Sequence, residues 1–290
     1  MIVMFNQGNR MDNAQDKKFD IAVILPTRGR TTALLRSIMS LVTRTRNLDR
    51  IQFFIGLDED DPVGIDYWQK EVEPLLVKRN ANFTAMLFEP LGYIRLNEYV
   101  TEMAKHSNSR WIMFWNDDAI MESQNWDEEI MKYEGQFKIL AVHTHREHPY
   151  SIFPIVPHDW IDLFGYMSPH QLSDAWISQV AYMLDIFERI PVWVTHDRYD
   201  LTGNNNDATY NNRPQLENQP NNPDDFHSEK WHARRVNDAE RLSKLLESRG
   251  IDQTWWTRCK SGEQDPWVKL SANDINKQMT QTAKIYDKSK

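Results

Sequence analysis

Cysteine is almost absent from this 290-residue chain, where Cys259 stands alone. A single thiol allows no intramolecular disulfide and no cysteine-rich metal site, which fits a reducing compartment. Long apolar runs are missing too, and nothing approaches the roughly 20 residues that span a bilayer as a helix. The opening stretch, MIVMFNQGNRMDNAQDKKFD, lacks the basic start and long apolar centre of a secretory signal. A cytoplasmic protein without membrane contact is the expectation. Positive charge is also in short supply: 34 Lys and Arg face 42 Asp and Glu, for a formal net charge of -8. That argues against a constitutively basic nucleic-acid binder, although a local basic groove remains compatible with it. A glycine-rich phosphate loop is lacking as well. The first apolar run leads into Pro-Thr-Arg-Gly-Arg rather than Gly-x-Gly-x-x-Gly, which disfavours a dinucleotide-binding dehydrogenase.

What is present is a core-forming chain with 40% hydrophobic residues and 11 tryptophans. Most of the tryptophans suit core packing, and a few could serve as platforms for a sugar or base. Short apolar runs at residues 19–26, 51–57, 83–88, 111–115 and 137–142 read as strands. Between them, residues 31–44, 66–78, 93–106 and 126–133 carry apolar positions at helical spacing. Residues 173–188 read as a further helix and 191–195 as a strand. The alternation predicts an α/β domain with a mixed, mostly parallel sheet flanked by helices. Ligands of such sheets bind outside the carboxyl ends of the strands. Three of those ends carry polar clusters: Pro26-Thr27-Arg28, Asp58 and Asn116-Asp117-Asp118.

The division along the chain is expected to be a flexible lead-in over 1–16, the α/β domain over 17–200, and an extension over 201–290. Residues 203–225 are rich in Asn, Asp and Pro and read as a loop. Residues 228–249 read as a polar helix, and the tail from about residue 269 reads as frayed. No internal repeat is present, and oligomeric state leaves no mark in the sequence.

Adjacent carboxylates after an apolar strand repel each other, and a divalent cation relieves that repulsion. A solvated turn or helix cap is the simpler explanation for such a pair taken alone. The ordered set ILPTRGR, GLDEDDP, GYIRLNEYV and WIMFWNDDAIM resembles family-2-like GT-A glycosyltransferases over residues 19–145, about half of the chain. The resemblance implies a GT-A fold and sugar transfer, hexosyl or pentosyl, from a nucleotide-sugar donor such as a UDP-sugar. It implies that Pro26, Thr27 and Arg28 line the base and ribose pocket and that Asp58 faces the base. Arg95 and Asn97 would lie near the diphosphate and ribose. Asn116-Asp117-Asp118 looks like the DXD motif, with Asn116 in the first acidic position. Asp118 becomes the foremost ligand for Mn2+ or Mg2+.

Asp174, at the start of the 173–188 segment, matches the family's catalytic base for transfer with inversion, whereas transfer with retention needs no such base, and an acidic residue is favoured at a helix start in any case. His196 matches the late histidine that many GT-A enzymes supply to the metal. His143, His145, Arg146 and His148 form a dense cluster after the 137–142 strand, open to acceptor or diphosphate contacts or to a polar loop. Trp231, His232, Arg234, Arg235, Arg241, Trp255, Trp256, Arg258 and Lys260 mix cations with aromatics. That mix suits nucleic-acid contacts, carbohydrate stacking or an ordinary amphipathic helix. In overall character the chain is similar to phage glycosyltransferases that decorate hydroxylated or hydroxymethylated DNA bases, which implies DNA as an acceptor. A glycan acceptor, or a nucleotide-binding GT-A module without catalysis, are the alternatives.

Overall fold

The computed structural model describes residues 3–7, 19–144, 148–198 and 226–266. The central sheet follows from runs apolar on both faces. In β2 (Phe19–Thr27), Ala22 and Ile24 point into one apolar cluster while Ile21, Val23 and Leu25 point into the other. β3 (Ile51–Asp58), β4 (Asn82–Phe88) and β5 (Ser109–Phe114) join β2 in parallel. Strands buried on both sides need no polar alternation, which is why their sequences read as continuous apolar runs.

The full order is β1-β4-β3-β2-β5-β8-β7-β9-β6. β7 (Ile139–Thr144) and β9 (Phe187–His196) are parallel to each other. β1 (Val3–Gln7), β6 (Ala119–Met121) and β8 (Ile155–Pro157) run antiparallel to their neighbours. Helices cover both faces. α1 (Thr31–Arg44) buries Leu34, Ile38 and Leu41 on one side, joined by α2 (Pro62–Tyr67), α3 (Glu73–Lys78) and α5 (Trp126–Met131). The other side holds α4 (Leu96–Lys105), α6 (Asp159–Phe164), α7 (Ser173–Met183), α8 (Glu229–Ser248) and α9 (Thr254–Ser261). No helix among the described residues is long and apolar enough to cross a membrane.

Several expectations change. The lead-in over 1–16 contains β1, whose pairing from Val3 to Gln7 with β4 satisfies the backbone of an otherwise open edge. The helix expected from residue 66 starts at Pro62, because Asp61 accepts the Gly64 amide at 3.0 Å and proline fits the first helical turn. The helix expected to reach 188 stops at Met183, where Asp185 takes φ 54°. β9 starts at Phe187, ahead of Pro191. Its register jumps from Arg189 opposite Ala141 to Trp193 opposite His143, so Pro191 lies in a bulge, where its missing N–H leaves no gap in the ladder.

Candidate functional site

The site is built where β2, β3 and β5 end. After β2 the chain must turn into α1, and Gly29 provides the turn at φ +68°. This throws three side chains toward the neighbouring strand ends. Thr27 donates its hydroxyl to Asp117 Oδ2 at 2.7 Å. Arg28 donates to Asp58 Oδ2 at 2.6 Å and also pairs with Asp60. Arg30 Nη1 lies 2.9 Å from both Asp117 Oδ1 and Asp118 Oδ2.

The end of β5 is anchored from α1. Trp115 Nε1 donates to Ser37 Oγ at 2.9 Å, and Ser37 donates to the Asn116 carbonyl at 3.0 Å. A turn then leads into β6. Its pairing with β9 sets Ala119 opposite His196, which brings His196 beside Asp118. His196 Nε2 stands 3.2 Å from Asp118 Oδ1, and the Asp197 amide donates to the Asp118 carbonyl at 2.7 Å. Asp197 itself pairs with Arg36. Residues almost 80 apart in sequence are thus joined by one antiparallel register.

Asp117, Asp118 and His196 are buried. Burial pushes Asp117 up to about 6, with the Asp118 charge adding to the shift and Arg30 opposing it. Burial would raise Asp118 as well, but His196 and Arg30 outweigh it and hold that carboxyl below the usual range. The Asp58 carboxylate accepts from the Tyr99 hydroxyl as well as from Arg28. Burial, then the Asp58 carboxylate, pushes Tyr99 well above the ordinary phenol range, so it acts as a donor there.

These groups line one cleft of about 420 Å³. Pro26, Thr27, Arg28, Asp58, Asn116, Asp117, Asp118, Asp174 and His196 all border it, along with Arg30, Tyr99, His148 and Arg198. Asp174 enters from the first turn of α7, where one carboxylate oxygen accepts the Ala175 amide at 2.8 Å. Arg95 and Asn97 do not border the cleft. Leu96 and Tyr99 share the inward face of α4, and their neighbours are rotated off it by about 100° per residue. Arg95 instead grips Glu98 through two bonds of 2.7 and 2.6 Å, and Asn97 donates to the Ser168 carbonyl at 3.2 Å. Arg30 and Tyr99 join the cleft without being singled out by the sequence motifs. Arg30 was legible, standing two residues beyond Arg28 in the same turn.

A divalent cation can be tested against these atoms. Asp118 Oδ1 is buried without a hydrogen bond. Adjacent ligands on an octahedral ion with bonds of about 2.1 Å lie about 3.0 Å apart, and Asp118 Oδ1 and His196 Nε2 stand 3.2 Å apart. The pair therefore fits. Both oxygens of Asp117 are engaged, one by Thr27 and one by Arg30. No group of three or more metal-ligating side chains exists among the described residues. An ion here needs oxygens from a bound ligand, the usual way magnesium is held beside phosphates.

The C-terminal cations and aromatics fall into two sets. Arg235 is 3% exposed, stacks over Phe226 at 4.2 Å and donates to the Phe226 carbonyl at 2.9 Å. Trp231 and Trp256 are buried too, whereas His232, Arg234 and Lys260 are exposed. Of the histidine cluster, His143 stacks on Trp193 with centroids 4.5 Å apart, and His148 borders the cleft. His145, Arg146, the Asn-rich segment over 203–225 and the tail from residue 269 lie outside the described residues.

No family model and no curated protein matches this sequence. Solved structures do. The mannosyltransferase PcManGT from Pyrobaculum calidifontis, in complex with GDP-Man and Mn2+, has a TM-score of 0.50 and 10% identity, covering 95% of this chain and 88% of that one. S. aureus TarS 1-349 in complex with UDP-GlcNAc has a TM-score of 0.50 and 9% identity, covering 79% of this chain and 73% of that one. Identity this low establishes the fold alone. The chain has the GT-A fold: a mixed, mostly parallel sheet flanked by helices, with further helices at its C-terminal side.

Proposed function

We propose that the protein is a metal-dependent glycosyltransferase that moves a sugar from a nucleoside diphosphate sugar to an acceptor hydroxyl. The observation that carries this reading is the convergence of Asp58, the Asp118–His196 pair and Asp174 on one cleft at the strand ends of a GT-A sheet. The ligands of the two fold neighbours, GDP-Man with Mn2+ and UDP-GlcNAc, add support.

In this reading the nucleobase enters beside Asp58, whose carboxylate suits an imide N–H such as that of uracil. The donor is proposed to be a UDP-sugar, carrying a hexosyl or pentosyl group. Pro26, Thr27 and Arg28 border the nucleoside. Asp118 and His196 would hold Mn2+ or Mg2+, which when bound neutralises charge on the departing diphosphate. If transfer inverts configuration, Asp174 takes the proton of the acceptor hydroxyl as the hydroxyl oxygen bonds the anomeric carbon and the bond to the diphosphate breaks.

The acceptor is proposed to be a hydroxylated or hydroxymethylated base in DNA, met by exposed cations of α8 such as Lys230 and Arg234. A flipped-out base would reach the cleft at an unstacking cost of about a few kcal/mol. A glycan acceptor is the second reading. It is favoured by the burial of Trp231, Arg235 and Trp256, which takes three residues away from any nucleic-acid surface. A cytoplasmic setting belongs to the same proposal.

The test incubates the protein with a panel of nucleotide sugars and Mn2+, with DNA containing 5-hydroxymethylcytosine or with oligosaccharides. Nucleotide release with a matching mass gain on the DNA base supports the first acceptor, and a gain on a glycan supports the second. Nucleotide binding without turnover on any acceptor or on water would leave a binding module and contradict the enzyme reading.

A further inference from the structure

We propose that Arg30 is the counterion that holds the Asp117–Asp118 pair until a divalent cation and a nucleoside diphosphate arrive together, so that Arg30 and the cation oppose each other at the same carboxylates. This rests on the metal reading of the cleft given above.

Two adjacent carboxylates that are 5% and 4% exposed repel each other and have lost most of their water. Thr27 gives Asp117 a hydrogen bond but no charge. Arg28 is committed to Asp58 and Asp60. Arg30 supplies the charge: one nitrogen stands 2.9 Å from an oxygen of each aspartate, on a side chain only 16% exposed. The remaining oxygen of the pair, Asp118 Oδ1, is buried without a hydrogen bond and stands beside His196. A dication held there would share the Asp118 carboxylate with the guanidinium. Two positive centres on one buried carboxylate repel strongly, and little water intervenes to screen them.

Arg30 therefore weakens cation binding to the nucleotide-free protein. A diphosphate in the cleft reverses this, because Arg30 borders the cleft and its planar fork suits phosphate oxygens. The negative charge of the diphosphate offsets the repulsion, and the cation and nucleotide favour each other's binding. That coupling is reciprocal by thermodynamic necessity.

The experiment measures Mn2+ affinity by electron paramagnetic resonance, with and without UDP, for the full chain and for Arg30→Gln and Arg30→Lys. Without UDP, Arg30→Gln should bind Mn2+ about tenfold or more tightly than wild type, while Arg30→Lys, which keeps the charge, stays near wild type. UDP should tighten Mn2+ far more in wild type than in Arg30→Gln. Mn2+ alone should also raise the melting temperature of Arg30→Gln more than that of wild type. Equal Mn2+ affinity in wild type and Arg30→Gln, with equal response to UDP, overturns the role of Arg30 and leaves the metal reading standing. Absence of Mn2+ binding in every protein, with and without UDP, overturns the metal reading and this inference with it. Should Arg30→Gln fail to fold, independent binding of Mn2+ and UDP to wild type is enough to overturn the inference.

Discussion

Asp117 and Asp118 are neighbours in sequence with different duties. Asp117 has both oxygens engaged, whereas Asp118 keeps one oxygen without a hydrogen bond next to His196. In the proposed function, replacing Asp118 removes the main anchor of a bound cation. Asp118→Ala is expected to lower Mn2+-dependent turnover by about 100-fold or more, the scale of losing one main electrostatic contact to a transition state. Circular dichroism should show an intact fold. Asp174 makes a different prediction, because it borders the cleft from the first turn of α7, whereas Asp118 follows β5 and His196 ends β9. Asp174→Asn should lower kcat by about 100- to 10,000-fold, the usual range for a general base, and leave UDP affinity near wild type. Normal turnover in Asp174→Asn would place the base elsewhere. The candidate residues were legible wherever a strand ends, since a β-strand delivers its last residues to a fixed rim. Arg95 and Asn97 stand off the cleft because a helix spreads neighbours around its axis, and one residue of rotation decides which face a side chain takes.

Elements follow the same logic. β2, β3 and β5 were readable because strands buried on both faces are unbroken apolar runs. β6 and β8 were not, since three residues carry no period, and Pro191 hid the first half of β9 behind a bulge. α8 misled differently. Its Arg235 and Asp238 look like a solvated face, yet both are buried where the helix docks on α7. Asp238 accepts from the Tyr166 hydroxyl at 2.8 Å and from Trp176 Nε1 at 3.1 Å. Burial still raises its carboxyl above the ordinary value, against those hydrogen bonds. Because the folded-state value is raised, the folded protein holds this proton at a pH where the unfolded chain releases it. The stabilisation is full below the ordinary carboxylate value and is lost as pH rises through the folded value. Other carboxylates, including Glu98 and Glu240, are held low and act in the opposite sense. The difference between wild type and Asp238→Asn in urea midpoints isolates the contribution of this carboxyl group. As pH rises above about 4, wild type should lose stability relative to the variant. A difference constant with pH would contradict the buried docking role of this carboxylate.

At the scale of the molecule, the C-terminal helices belong to the same apolar cluster as the sheet. Ala239, Leu242 and Leu246 of α8 are fully buried in the cluster that also holds residues of α4, α6 and α7, and Trp256 of α9 joins them. Each fully buried leucine contributes roughly 1.5–3 kcal/mol, against a net stability of about 5–15 kcal/mol for a whole domain. A chain ending at residue 200 should therefore lose its cooperative unfolding transition and bind hydrophobic dyes. A sharp, wild-type-like transition would show that residues 17–200 fold alone. Nothing in the sequence marked Tyr150, Ile152, Gln171 and Leu172 as lining the cleft, because their segments carry no local motif. The proposed metal-dependent chemistry at the donor is tested by nucleotide release from UDP-sugars by wild type with Mn2+ and after chelation by EDTA. Release is expected with Mn2+, is lost on chelation, and recovers when Mn2+ or Mg2+ is restored. Release unaffected by chelation, or no release from any nucleotide sugar, would contradict that chemistry.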